Sequence, residues 1–459
     1  MKKLIIGGLV VSATKMRRAD ILIDGEQITA VGTKLSAEDA EVIDANGRII
    51  FPGFIDAHTH FDLGVCDTTT ADDFLSGSRA ALRGGTTTVI DFACPNKGES
   101  LRRGLELWHE KAYGRAMCDY GFHMTIDDWN AEISEELSGM ENEGITSFKM
   151  YMTYPAMMLG DGDMLRALMR VREMGGIVGV HCENSGMIDA LTEKIKSSGL
   201  SGAACHPISR PDLAEAEAIN RLSYLAQCAD VPVVIVHLSS ALGFEEARRA
   251  RERGAKIYIE TCPQYLFLDD SVYAQRGIDG AKFVCSPPIR KKADCDVLWN
   301  ALVSGGIDTI STDHCSFTLR QKSVGLSDFT KIPGGLPGVE TRVVLMFGKG
   351  VANNRLTAER MCALLAENPA RLYGLYPQKG TVMPGSDADL VIIDPHGETR
   401  ISAEDSAGNA DYTPYEGMRL PGRIVRVMLR GKTAVLDGRV CMAPGEGKFL
   451  RRGRNTLLY

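Results

Sequence analysis

The chain has 459 residues, of which 44% are hydrophobic and 24% charged; this is the balance of a soluble globular protein, and the length predicts one large domain with an appendage. A formal net charge of −7 with no long basic run argues against a surface built for nucleic acid or an anionic membrane, and no apolar stretch approaches the roughly 18 residues needed to span a bilayer. The twelve cysteines are scattered without a Cys-x-x-Cys pair, which predicts reduced thiols in a cytoplasmic protein rather than a disulfide framework.

The opening Lys2-Lys3-Leu-Ile-Ile-Gly-Gly-Leu-Val-Val is short, interrupted by glycine and followed by Lys15, Arg17 and Arg18 without a cleavage site, so it predicts a first strand rather than a signal segment. Strand-like runs Ala19–Ile23 and Gln27–Val31 flank Asp24-Gly25, and Glu41–Asp44 and Arg48–Phe51 flank Asn46-Gly47. Both dipeptides are hairpin signals, because type I′ turns need positive φ. The far end has the same texture, with Ala388–Asp394, Ile424–Leu429 and Thr433–Leu436 as strands and Gly431 and Asp437-Gly438 as turns. Two β-rich ends predict a β-sandwich domain formed by residues 1–51 and 380–459. Between them, over residues 52–379, the pattern alternates. Eight apolar runs read as parallel strands: Phe54–His58, Thr86–Asp91, Tyr120–Ile126, Thr146–Tyr151, Ile177–His181, Val231–His237, Lys256–Thr261 and Asp308–Asp313. Amphipathic stretches such as Asp73–Arg83, Gly162–Met174, Pro211–Gln227 and Phe244–Arg253 separate them, with glycines as helix stops. The fold class predicted is α/β, a (β/α)8 TIM barrel. The alternative, a doubly wound open sheet, lacks a Gly-x-Gly-x-x-Gly after an early strand.

Polar residues cluster at the C-terminal ends of these strands, where such barrels build their active sites. His58 and His60 end the first run; residues i and i+2 of a strand share a face, so both imidazoles can grip one ion. Lys149 belongs to the fourth, His181 to the fifth, His237 to the sixth and Asp313 to the eighth. A single strand-end histidine is ordinarily a hydrogen-bonded interior residue. Four of the nine histidines at such ends are not readily a coincidence, whereas His109, His123, His206 and His396 read as ordinary residues and His314 is harder to dismiss beside Asp313. Four imidazoles and a carboxylate suit two divalent ions, which need an anionic bridge against their mutual repulsion. A buried lysine is ordinarily an ion-pair partner; as a carbamate, Lys149 would become that bridge.

Gly53-Phe-Ile-Asp-Ala-His-Thr-His60, Ser147-Phe-Lys-Met-Tyr-Met-Thr-Tyr154, Val180-His-Cys-Glu-Asn184, Val236-His-Leu-Ser-Ser240, Glu260-Thr-Cys-Pro-Gln-Tyr265, Ser286-Pro-Pro288, Thr312-Asp-His-Cys315 and Pro384-Gly-Ser-Asp-Ala-Asp-Leu390 together resemble the cyclic amidohydrolases, and within them the hydantoinases and dihydropyrimidinases, over essentially the whole chain. The resemblance implies two divalent ions, zinc or alternatively manganese, with His58 and His60 on the more buried one, His181 and His237 on the more exposed one, carbamylated Lys149 between them and Asp313 on the first. It implies that Tyr154 hydrogen-bonds the developing oxyanion, that the Ser286 backbone reads the ureide edge and that Gly334-Gly335 adds a further backbone contact; many relatives carry asparagine where Gly334 stands. Ordinary alternatives are a lid aromatic for Tyr154 and a pre-proline loop residue for Ser286. The implied reaction is hydrolysis of a hydantoin or dihydropyrimidine to an N-carbamoyl amino acid, without nucleotide or organic cofactor, by a homotetramer. The implied pocket for the ring's substituent is an apolar wall of Phe61, Leu63, Val65, Met152, Pro155, Met157, Met158 and Leu159, the alternative being that these residues pack on one another. Allantoinase-like or dihydroorotase-like activity is the nearest rival, although no arginine in the site motifs clearly serves a substrate carboxylate. A one-metal deaminase would not need Lys149. Non-catalytic scaffold relatives have lost metal ligands, and here all six metal-site positions are present.

Overall fold

The computed structural model describes residues 2–65 and 67–457. Eight parallel strands form the barrel: Phe54–Thr59, Thr86–Ala93, Asp119–Thr125, Ser147–Tyr151, Ile177–His181, Val233–Ile235, Ile257–Thr261 and Thr309–Ile310. Each pairs with the next in sequence, the order that strand–helix–strand crossovers of one hand produce. The ring closes just beyond the last strand, where the His314 N–H donates to His58 O at 3.3 Å and the His60 N–H to His314 O at 2.8 Å. Nearer the strand starts, the buried Arg342 guanidinium spans the same seam, donating at 2.7 Å to both Ile55 O and Ile310 O.

Six of the strands lie within two or three residues of the sequence reading, but the sixth and eighth are shorter than Val231–His237 and Asp308–Asp313. The reason lies in the functional ends: His237 and Asp313 take φ of +40° and +52°, a conformation that no β ladder accommodates. The helices begin where capping chemistry places them. Asp73 accepts the Leu75 and Ser76 N–H groups ahead of Phe74–Arg83, and Asp212–Ala229 starts directly after Pro211.

Both chain ends contribute to one continuous nine-stranded sheet, in which Ile49–Pro52 pairs with Lys2–Val11 on one side and Leu390–Arg400 on the other. Its own core gathers Ile5, Ile21, Ile23, Ile50, Leu390, Ile392 and Met428. The turn at Asp437-Gly438 is a two-residue hairpin with both φ positive, as the sequence predicts. Asn46-Gly47 is not a hairpin: Glu41–Asp44 and Ile49–Pro52 both run parallel to Lys2–Val11. The cause is a break in that partner strand. Its register shifts between Ile5 and Gly8, and Gly7, at φ +75°, leaves room that the Asn46 side chain occupies.

A buried ionic cluster joins sheet to barrel. The Lys379 ammonium donates to Asp119 at 2.6 Å and to Asp389 at 2.7 Å, and Arg430 pairs with the other Asp119 oxygen. Residues 447–457 lie against the chain's own barrel, where the Arg452 guanidinium donates to Ser147 Oγ at 2.7 Å and to Phe122 O. Among the described residues the cysteines are free thiols and no helix is long and apolar enough to cross a membrane.

Candidate active site

The strand ends bring the sequence-predicted residues to one mouth of the barrel. His58 sits in the first strand and His60 directly after it, His181 ends the fifth, and His237 and Asp313 follow the sixth and eighth. The imidazoles form a continuous arc, with ring centroids 5.2 Å apart for His60 and His58, 5.3 Å for His58 and His237, and 4.6 Å for His237 and His181. All four are buried. Lys149 is buried in the fourth strand, and no hydrogen bond or ion pair from its Nζ is found among the described residues. The ammonium lies 5.1 Å from the Phe92 ring, which packs on His58 and His60, and 5.1 Å from the Tyr151 ring, which stacks on His181. Its place is thus between the two histidine pairs.

The donor set fits a divalent cation. His58 Nε2, His60 Nδ1 and His237 Nδ1 are buried without a hydrogen-bond partner, a costly arrangement for polar atoms unless something else engages them. His58 Nε2 and His60 Nε2 both lie 3.1 Å from Asp313 Oδ1, and only the His60 approach has hydrogen-bond geometry. One atom from each of His58, His60 and Asp313 lies within 4.8 Å of the others, a His-His-carboxylate set suited to zinc and its neighbours.

Electrostatics point the same way. Burial lowers His60 to about 4 and depresses His181 and His237 as well, which keeps those rings neutral, the form that ligates metal. Burial and Lys149 oppose charge on His58, but Glu260 and Asp313 outweigh them and raise it. Burial alone would raise the Asp313 carboxyl; His58 and His60 beside it hold it well below the ordinary carboxylate range. Lys149 is pushed down to about 8 by burial, against the pull of Asp313 and Glu260. Behind the arc, Glu260 Oε1 takes His58 Nδ1 at 2.7 Å and Glu183 Oε2 takes His181 Nε2 at 2.8 Å. Such outer carboxylates fix the tautomer and raise the basicity of the remaining ring nitrogen.

Tyr154 stands beside this arc at φ +67°, its ring edge-on to His181 at 5.2 Å. Three of these polar residues, His237, Asp313 and Tyr154, thus hold positive φ without being glycine, strain that a framework must impose. Ser286 and Gly334 are neighbours: a Cβ on Gly334 would sit 3.3 Å from Ser286 Oγ, close enough that a small adjustment would admit asparagine. Gly335 is different, since at φ +155° its Cβ would fall 2.4 Å from Cys315 O, so only glycine fits. Of the expected apolar wall, Phe61 is core, edge-on to Phe74 and His314, and Met152 and Leu159 are buried too. Leu63 packs on the same cluster partly buried, Val65, Met157 and Met158 are half-buried and Pro155 is exposed. His314 turns from the arc to donate to Asp72 at 3.0 Å while accepting the Gly338 and Val339 N–H groups.

Sequence reasoning missed several supports. Glu183 and Glu260 stand inside quoted motifs, and their burial beside histidine was the available signal. Lys322 and Arg210 carried no local signal at all. The buried Lys322 ammonium donates to Val284 O, Pro333 O and Gly335 O at 2.7, 2.6 and 2.8 Å, tying the Ser286 loop to the Gly334-Gly335 loop. Arg210, outside the site motifs, pairs with Glu183 at 2.5 Å and lies 5.2 Å over the Tyr154 ring, so its charge is engaged by a carboxylate of the chain itself.

The comparisons with known proteins agree with this geometry. The family model described as "Amidohydrolase family" matches residues 49–434. The chain is 44% identical to a D-hydantoinase of Geobacillus stearothermophilus over 99% of this chain and 97% of that one. It is 43% identical to a D-phenylhydantoinase of Escherichia coli over 98% of each. It superposes on the crystal structure of a dihydropyrimidinase from Brevibacillus agri with a TM-score of 0.98 at 42% identity, covering all of both chains. With its barrel, its strand-end histidines and relatives matched end to end, the chain belongs to the amidohydrolase family, in its hydantoinase and dihydropyrimidinase branch.

Proposed function

We propose that this protein opens cyclic ureides, namely 5-substituted hydantoins or dihydropyrimidines, by metal-dependent hydrolysis of a ring amide to an N-carbamoyl amino acid. The observation that carries this reading is the buried arc of four imidazoles with Asp313 at one end and an unpaired Lys149 amine between its halves. The names of the relatives, D-hydantoinase, D-phenylhydantoinase and dihydropyrimidinase, support the ring class.

His58, His60 and Asp313 would hold one divalent ion and His181 and His237 a second, zinc or manganese. Lys149 would bridge them as a carbamate. A neutral amine adds CO2 and releases a proton, so an amine lowered to about 8 and lacking an anionic partner favours that product. When bound, the ions supply Lewis acidity, bringing the pKa of water towards about 7 and polarising the ring carbonyl. Asp313, strongly ionised, takes the proton of the attacking water and returns it to the departing ring nitrogen. Tyr154 donates to the developing oxyanion, an interaction stronger in the transition state than in the ground state. The Ser286 backbone and the Gly334-Gly335 backbone would meet the ureide edge, and the half-buried Val65, Met157 and Met158 would accept an apolar 5-substituent. We infer a cytoplasmic homotetramer and a division into residues 52–379 and an appendage of 1–51 with 380–459.

The test is a panel of hydantoin, phenylhydantoin, dihydrouracil and allantoin, both enantiomers where they exist, assayed with metal-loaded protein for the carbamoyl product. Turnover of hydantoins or dihydrouracil well above buffer is expected, and a rate equal to buffer on every ring overturns the reading. Lys149→Ala should lose bound metal and activity together, with partial rescue by short carboxylic acids; full activity in that variant would remove the bridge.

A further inference from the structure

Arg210 lies on the connection between the short helix Cys205–Ser209 and Asp212–Ala229, beyond the fifth barrel strand. Its Nη1 meets Glu183 Oε2 at 2.5 Å, the same oxygen that takes His181 Nε2 at 2.8 Å. Its guanidinium carbon lies 5.2 Å from the Tyr154 ring centroid, and that ring is edge-on to His181 at 5.2 Å. The four side chains therefore close a loop, His181 to Glu183 to Arg210 to Tyr154 and back. The arginine is itself fixed from behind. Its carbonyl accepts from Arg290, whose Nε donates to Ser239 Oγ at 2.9 Å, and Ser239 is bonded through its N–H and its Oγ to the buried Glu215 at 2.9 Å. Tyr154 sits past the end of its strand in a left-handed conformation; its carbonyl accepts the Met157 and Met158 N–H groups at 2.8 Å, and its side chain meets Ser286 as well as Arg210.

A planar guanidinium can bond a carboxylate through one nitrogen while its flat face lies over an aromatic ring, which a point-charge ammonium does less well. Resting on the function proposed above, we propose that Arg210 is a positioning residue which holds the Tyr154 phenol in register with His181 through Glu183, and so governs turnover rather than affinity for the ring. A misplaced donor weakens the transition state more than the ground state, because the oxyanion exists only in the former.

The test is a cycle of wild type, Arg210→Met, Tyr154→Phe and the double variant, with Arg210→Lys alongside, read as kcat, KM and metal per chain. Arg210→Met should lower kcat about 30-fold, less than the roughly 100- to 1,000-fold lost when an oxyanion donor is removed outright, with KM within about threefold and metal content unchanged. Arg210→Lys should recover little, since charge alone does not stack. The double variant should be no more than about twofold slower than Tyr154→Phe, because both changes remove one device. Multiplying effects, a change confined to KM, metal loss in step with activity, or a wild-type kcat in Arg210→Met would each overturn the proposal. If the methionine variant fails to fold, the lysine variant runs through the same cycle against the same outcomes. A readout independent of turnover is 19F NMR of 3-fluorotyrosine at position 154. One sharp environment in wild type and an averaged, shifted one in the Arg210 variant are expected, and identical spectra refute positioning. Wild type inactive on every ring would sink the functional reading, whereas an active wild type indifferent to Arg210 would sink only this inference.

Discussion

Replacing Lys322 by methionine tests whether one buried ammonium organises the two loops proposed to meet the substrate. Its side chain is fully buried and donates to Val284 O, Pro333 O and Gly335 O, all within 2.8 Å. Methionine keeps most of the volume and removes all three donors. A buried acceptor left without a donor costs about 1–3 kcal/mol, and carbonyls sit at the low end because they tolerate partial satisfaction, so the gross loss is about 3–4 kcal/mol. The desolvation of an ammonium, which methionine does not incur, offsets part of this, leaving about 2 kcal/mol. With unfolding entropy of about 2.1 cal/mol/K per residue over 459 residues, that lowers the melting temperature by only about 2 °C. The larger effect falls on binding: Ser286 and Gly334-Gly335 lose their common anchor, and a tenfold rise in KM corresponds to about 1.4 kcal/mol. Scanning calorimetry at one scan rate and steady-state kinetics on the preferred ring give both numbers. A KM within twofold of wild type together with an unmoved melting temperature would refute the reasoning.

Two further outcomes follow from the supports behind the site. Glu260→Gln keeps the shape of the group that meets His58 Nδ1 at 2.7 Å but removes its charge; metal affinity measured by chelator competition should fall about 10- to 100-fold, and an unchanged affinity would remove Glu260 from the metal's support. Asp72 joins barrel to sheet by accepting from His314 at 3.0 Å and from the Asn409 N–H at 2.7 Å. Burial would raise its carboxyl, but His314 and these donors hold it far below the ordinary range. A depressed acid contributes stability above its unfolded pKa of about 3.9 and loses it as the pH falls further. Asp72→Asn should therefore lower stability at neutral pH and flatten the fall in melting temperature below about pH 4; a parallel curve would count against it.

Much of this protein is legible along the chain. The barrel can be read because a strand buried on both faces is a run of apolar residues, and glycine or a cap marks each change of period. The candidate ligands can be read because the fold puts function at strand ends, so His58, His60, His181, His237 and Asp313 declare themselves by following such runs. Asn46-Gly47 misleads for a physical reason: a turn dipeptide states a local φ preference, and whether the chain reverses or merely jogs depends on the break at Gly7 in its partner. Phe61 marks where pattern runs out: an aromatic beside a histidine pair reads equally as wall or core, and only the structure shows it packed edge-on to Phe74 and His314.

What sequence alone determined is therefore the architecture and the placing of the candidate donors, both set by local pattern and by position on a strand. Tertiary structure alone decided how those donors are held. Glu260 meets His58 across 202 residues, Arg210 joins Glu183 to Tyr154, and Lys322 ties two loops through backbone carbonyls. Contacts of that range leave no periodicity in the chain, and a main-chain acceptor has no side-chain identity to read.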